Sequence, residues 1–324
     1  NPIRDAAIAI AVAERVLEIL STPFDIEGHE VFVTASIGIA FSPTGDTSPE
    51  AMLRDADIAM YRAKAAGKAR YEVFDLEMHR TAVRLLKLEN DLRRAVEDRD
   101  FVMHYQPIVS LDTGRIVGFE SLVRWDHKER GLVPPTQFIG IAEETGLIGP
   151  LCWWVLEQSC RQAREWQQRH PSDPPLFISV NVSGKLFIQA GATDEVLRVL
   201  EESGLEPESL RLEVTENAMM DHGEQALNKL LELRALGVQL SIDDFGTGYS
   251  SLSYLQRFRY DTLKIDRSFV STIGTRGHSQ TIVETILSLA DSLGIGVIAE
   301  GVETADQCAR LRKMRCPHGQ GFWF

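Results

Sequence analysis

The sequence is short of several things, and each shortage removes a class of function. Cysteine is scarce: four in 324 residues, Cys152, Cys160, Cys308 and Cys316, with no C-x-x-C pair. That spacing argues against a zinc ribbon or a disulfide framework and favours buried, reduced thiols of a cytoplasmic protein. No apolar run reaches the roughly 18 residues that a membrane span needs. The opening Asn1-Pro2-Ile3-Arg4 has no signal-peptide character. Positive charge is in deficit, the formal net charge being −13. A non-specific grip on nucleic acid needs basic surface, so a DNA coat is excluded. A phosphate diester is not excluded, provided that metal ions bring the positive charge. Internal repeats and low-complexity tracts are lacking too. So is an initiator Met, and the chain is expected to be a piece of a longer protein whose attachment to a membrane stays open.

What is present suits a soluble α/β protein. A length of 324 residues accommodates one barrel of about 250 residues and a smaller partner. Residues 1–75 read as the smaller, α+β piece. Ile8, Val12, Val16 and Ile19 share one face of a helix over 5–20. Phe24–Ile26 and Val31–Val33 flank Glu27-Gly28-His29 as a hairpin, and 35–41 continues as a strand. Ser48 before Pro49 and Glu50 signals the start of a second helix, which Gly67 ends, and 71–73 is a last short strand. Residues 76–99 form a charged helical connector with Leu85, Leu88, Leu92 and Val96 on one stripe.

From residue 100 to 324 strands and helices alternate. The candidate strands are 101–109, 116–125, 176–182, 210–216, 239–245, 262–266, 296–302 and 318–324. Helical patterns cover 151–169, 193–203, 224–236, 279–293 and 304–314. Only Leu111-Asp112-Thr113-Gly114-Arg115 separates the first two strands, so they pair antiparallel; the others have room for crossovers and run parallel. The fold class is α/β, a TIM-like (β/α)8 barrel with one antiparallel strand.

Polar residues fall where buried strands should be apolar. Glu120, Asn181, Glu213, Asp243 with Asp244, Lys264, Glu300 and Gln320 lie in or at the ends of seven strands. Each alone has an ordinary explanation: a glutamate pointing to solvent, an asparagine capping the next helix, a lysine snorkelling to the surface. Together they mean something else. Strand C-termini of a parallel barrel meet at one mouth, where these carboxylates converge. Clustered charges are untenable unless metals or ion pairs neutralise them. Carboxylates with one amide make an oxygen-rich site suited to Mg2+ or Mn2+. Adjacent aspartates let one carboxylate bridge two ions, the arrangement used for in-line attack on a phosphodiester.

From about residue 82 to 324 the chain resembles the EAL domain, the cyclic di-GMP phosphodiesterase family. The segments that carry the resemblance begin with Tyr105-Gln106-Pro107-Ile108, Glu120-Ser121-Leu122-Val123-Arg124-Trp125 and Asn181-Val182-Ser183. Glu213-Val214-Thr215-Glu216, the run from Asp243 to Leu252, Leu263-Lys264-Ile265-Asp266, Ala299-Glu300-Gly301-Val302-Glu303 and Gln320-Gly321-Phe322 complete them. The resemblance implies hydrolysis of cyclic di-GMP to linear pGpG by metal-activated water, with two Mg2+ or Mn2+ ions. It implies Glu120, Asn181, Glu213, Asp243 and Asp244 as metal ligands. Lys264 and Glu300 become the catalytic pair, Glu300 as general base. Gln106, Leu122, Arg124, Glu303 and Gln320 become substrate contacts, and Glu216 the anchor of the loop after Asp243. It also implies a homodimer through this domain. The signature reads Glu-Ser-Leu where the family has Glu-Ala-Leu; Ser121 faces away from Glu120 and is expected to matter little. A sensor that binds cyclic di-GMP without cutting it is the competing reading, and such sensors typically lack a metal carboxylate.

Residues 1–75 resemble the C-terminal part of a GGDEF domain, the diguanylate cyclase family. The carriers are Ala35-Ser36-Ile37-Gly38-Ile39-Ala40 and the run from Arg54 to Tyr61, with Lys64, Gly67 and Tyr71. The Gly-Gly-Asp-Glu-Phe motif does not occur in the chain, so cyclase activity is not expected of it.

Overall fold

The computed structural model describes residues 6–42, 48–187, 189, 191–216, 228–246, 260–274 and 279–324. It divides into two compact units, residues 1–91 and 92–324.

In the first unit, α1 (Ala6–Leu20) leads into a hairpin of β1 (Phe24–Ile26) and β2 (His29–Val31). The second arm starts two residues earlier than the expected 31–33. Glu27 and Gly28 both take positive φ, which is the two-residue turn that closes a hairpin at once. Parallel strands β3 (Ile37–Ile39) and β4 (Tyr71–Val73) are joined by α2 (Pro49–Ala65). The expected cap is present, the Ala51 N–H donating to the Ser48 hydroxyl. Gly38 is needed because a Cβ there would lie 1.9 Å from the Ala56 carbonyl oxygen; without one, α2 lies directly on β3. The α1 stripe of Ile8, Val12, Val16 and Ile19 is exposed. Helix α3 (Leu76–Asp98) runs through the division between the units.

In the second unit the strands are β5 (Phe101–Ser110), β6 (Ile116–His127), β7 (Gly131–Val133), β8 (Phe177–Asn181), β9 (Leu210–Thr215), β10 (Gln239–Phe245), β11 (Thr262–Ile265), β12 (Gly296–Ala299) and β13 (His318–Gln320). Eight of them close a ring in the order β5-β13-β12-β11-β10-β9-β8-β6, with β6 pairing back to β5. Strand β5 is antiparallel to both neighbours, and the other pairs of the ring are parallel. This is the expected barrel with one reversed strand. The short β7 pairs with the far end of β6 and stays outside the ring.

The helices are α4 (Ile139–Thr145), α5 (Ile148–Arg169), α6 (Gly184–Phe187), α7 (Ala192–Ser203), α8 (228–235), α9 (Arg267–Ser271), α10 (Ser279–Leu293) and α11 (Ala305–Lys313). The start of the helix expected over 224–236 lies outside the described residues. Strand alternation sends Ile178, Val180, Leu210, Leu212, Leu240, Leu263 and Ile265 outward, and all are buried. Each such side chain stabilises the fold by about 1.5–3 kcal/mol. Aromatic residues fill the outer layer beside β5 and β6: Phe101 lies 5.8 Å from Trp154 and Phe119 lies 4.4 Å from Trp166, ring centre to ring centre. The opposite set of strand residues faces the barrel interior. That set is polar, and it builds the site.

Candidate metal centre

Lys264 stands in the middle of β11 with no exposed surface. Its ammonium nitrogen lies 2.7 Å from Glu300 Oε1, 2.8 Å from Glu213 Oε2, 3.1 Å from Glu120 Oε2 and 3.4 Å from Asp243 Oδ1. The four carboxylates come from β6, β9, β10 and the end of β12. Alternation aims each inward, and the parallel ring brings them to one level.

Neighbouring amides hold Glu120. Asn181 Nδ2 donates to its Oε1 at 2.6 Å. Gln320 Nε2 donates to its Oε2 and, at 2.8 Å, to Gln106 Oε1. Gln320 is set by the chain that follows it. A Cβ at Gly321, where φ is 158°, would meet the Val302 oxygen at 2.2 Å, so glycine lets that backbone cross the end of β13.

The carboxylates separate electrostatically. Burial pushes Glu120 up, but the Lys264 charge and the donors from Gln320 and Asn181 outweigh it and hold the acid below its usual value. Burial pushes Glu213 up more strongly than Lys264 offsets, and the charges of Glu120 and Asp243 add to the rise. The contrast has a cause: Glu213 Oε1 is buried with no hydrogen-bond partner among the described residues. Glu300 is raised chiefly by burial, with Asp243 and Glu120 adding to the rise against Lys264. Burial opposes the charge of Lys264, yet the surrounding carboxylates hold its pKa well above the ordinary value.

Asp243 and Asp244 would face opposite sides of a regular strand. They do not, because β10 carries a bulge. Ile242 pairs with Leu263 and Phe245 with Ile265, so two aspartates oppose the single Lys264. Asp244 takes φ 54°, a left-handed conformation that aspartate tolerates better than most residues. Asp243, Asp244 and Glu300 thereby present oxygens within 4.8 Å of one another. Burial and the charges of Asp243 and Asp266 raise Asp244. An all-oxygen cluster beside an unpartnered buried carboxylate oxygen fits a hard divalent cation.

Other expected residues are placed less centrally. Leu122 and Arg124 are half-buried on β6, and Arg124 donates to the Val123 carbonyl at 2.9 Å. Glu303 is exposed in the loop after β12. Glu216 follows β9, buried, with neither carboxylate oxygen partnered among the described residues. The loop it is expected to anchor lies outside the described residues from Thr247 onward. Sequence reading missed interior polar residues below the ring, Ser179, Arg211 and Ser241. Each lies two residues before a site residue on its strand, and that parity was the available signal. Arg211 lies over the Phe177 ring at 3.8 Å and donates to Gln239 Oε1 at 3.0 Å. His104, exposed on β5, was missed as well.

Comparison with known proteins agrees with this geometry. The family model "EAL domain" matches residues 89–324, and "Diguanylate cyclase, GGDEF domain" matches residues 2–70. The Pseudomonas aeruginosa protein MucR, a bifunctional diguanylate cyclase/cyclic di-GMP phosphodiesterase, is 43% identical over 98% of this chain and 46% of its own length. The Escherichia coli cyclic di-GMP phosphodiesterase PdeR is 40% identical over 97% of this chain and 47% of its own length. The chain thus spans about half the length of these relatives. A solved structure of the phosphodiesterase PaMucR in complex with c-di-GMP superposes with a TM-score of 0.69 at 44% identity, covering 74% of this chain and 95% of that one.

Proposed function

The chain belongs to the EAL domain family, and from that premise we propose that its barrel hydrolyses cyclic di-GMP to linear pGpG with the help of divalent metal ions. The observation that carries the reading is the complete acidic set around Lys264, in which no carboxylate of the expected site is missing. Residues 1–75 form a GGDEF-like piece in this reading, 76–99 the connector and 100–324 the phosphodiesterase.

Glu120, Asn181, Glu213, Asp243 and Asp244 would hold two Mg2+ or Mn2+ ions. Bound ions would lower the pKa of water and offset charge on the phosphate. Glu300, its carboxyl raised by burial, is placed to accept a proton near neutral pH. Lys264 keeps its charge and fixes the four carboxylates, which positions ligands before any substrate arrives. Arg124 clamps a phosphate oxygen, and Leu122, Glu303, Gln106 and Gln320 shape the pocket. Glu216 anchors the loop after Asp243. The domain acts as a cytoplasmic homodimer, a state that sedimentation equilibrium checks.

Chromatography of linear product tests the reading, with cyclic di-GMP, Mg2+ or Mn2+, and a Glu120→Ala variant in parallel. Product from the parent chain and none from the variant is the expected result. Tight binding with no product under either metal would move the chain to the sensor class.

A further inference from the structure

The hairpin of β5 and β6 carries a residue that the proposed mechanism does not use. Its mouth-facing side is set by register. Gln106 pairs with Glu120, His104 with Leu122 and Val102 with Arg124. The hydrogen bond from Gln320 to both Gln106 and Glu120 shows that this face turns inward. The other face, with Phe101, Tyr105 and Trp125, packs on aromatic rings of the outer layer. His104 therefore stands one rung beyond the carboxylate ring, about 7 Å along the strand, and it is exposed.

The rungs differ in chemistry. The inner rung is carboxylate and amide, and the outer one carries the Arg124 guanidinium. Between them His104 and Leu122 lie directly opposite each other, as neighbours on one face of the hairpin. An imidazole and an isobutyl group on one rung make a low shelf between the two polar rungs. The His104 side chain makes no hydrogen bond or ion pair among the described residues and is exposed, which leaves its ring open to stack. A planar heterocycle with a phosphate on either side matches that order of surfaces. Every base has a π-face that such a platform accepts.

We propose that His104 is a substrate-contact residue that stacks on a guanine base of cyclic di-GMP; this rests on the substrate assigned above. Affinity for cyclic di-GMP measured by calorimetry in EDTA, where nothing is turned over, tests it directly. His104→Ala and His104→Gln are expected to weaken binding by about tenfold, the scale of one lost base–ring stack, and His104→Phe to retain it. With Mg2+, the alanine variant is expected to raise KM for cyclic di-GMP and leave kcat in place. Its Mg2+ affinity, measured by calorimetry without nucleotide, should match the parent. Unchanged affinity in His104→Ala overturns the proposal. So does full rescue by glutamine, which supplies hydrogen bonds without a ring, or a matching loss of Mg2+ affinity, which marks a disturbed metal centre. If the parent chain itself neither binds nor cleaves cyclic di-GMP, the substrate assignment has failed and this proposal falls with it. If the parent does both and only the His104 variants are silent, this proposal alone is wrong.

Discussion

The carboxylates around Lys264 fall into an inner pair and an outer trio. The inner pair, Glu120 and Glu213, has side-chain exposure of 7% and 0%. In the outer trio, Asp243 and Glu300 keep 14% and 18%, and Asp244 sits on a bulge with its conformation strained. Lys264 holds both of the inner pair, and the amides of Asn181 and Gln320 hold Glu120 as well. The outer trio holds like charges together with one shared lysine and an opening toward solvent. On the proposed function, the inner ligands would be fixed before an ion arrives, and the outer ones would stay open to solvent for its exchange.

The strongest way to break this contrast is Lys264→Met. Removing one partner of a buried ion pair leaves unpaired charge and costs about 3–5 kcal/mol. Urea denaturation of the metal-free protein checks it, and added Mg2+ should recover more stability in the variant than in the parent. Glu213→Gln is next. Loss of a ligand should exceed the 10–100-fold cost typical of losing a ligand's supporting partner, read as activity at saturating Mg2+.

The same variant sharpens the contrast through pH. Glu213 is raised from 4.5 to about 8. A carboxyl raised on folding favours the native state while protonated, and that contribution is lost as pH climbs through this window. Metal-free parent protein should lose stability over that range, and Glu213→Gln should flatten the loss. Asp244→Asn, in the outer trio, should weaken Mg2+ affinity by at least the roughly 10–100-fold of a lost supporting partner and leave the urea midpoint nearly unmoved. Ser121→Ala is the smallest effect. Its hydroxyl donates to the Ser179 carbonyl at 2.9 Å, worth about 1 kcal/mol, with activity unchanged.

Most of the barrel was legible because its strands are short apolar runs between turns. The run over 239–245 was placed to the residue, and the helix over 279–293 likewise. Ends that carry polar site residues were overextended: 296–302 is a strand only to Ala299, and 318–324 only to Gln320. At those points the backbone leaves the ladder to deliver Glu300 or to make room at Gly321, and apolar pattern alone does not mark the exit. Strand β7 went unread: Gly131-Leu132-Val133 follows β6 after a short turn and reads as part of the loop between strand and helix. The carboxylate ring was legible from polar residues in apolar strands, whereas the bulge that turns Asp244 inward was not. Alternation predicts the opposite face, and only pairing register reveals the extra residue. His104 carries no signal in the sequence, because its neighbour Leu122 across the strands emerges only from the pairing register.

The reversed strand has one more consequence. Strands β5 and β6 run for 10 and 12 residues, while the rest of the ring manages 3 to 7. Beyond the carboxylate level the two long strands therefore continue as a paired ribbon, on which Leu122 and Arg124 face His104 and Val102. A ribbon paired along its whole length holds its side chains in fixed register, so the rungs past the carboxylates are as ordered as the ring itself.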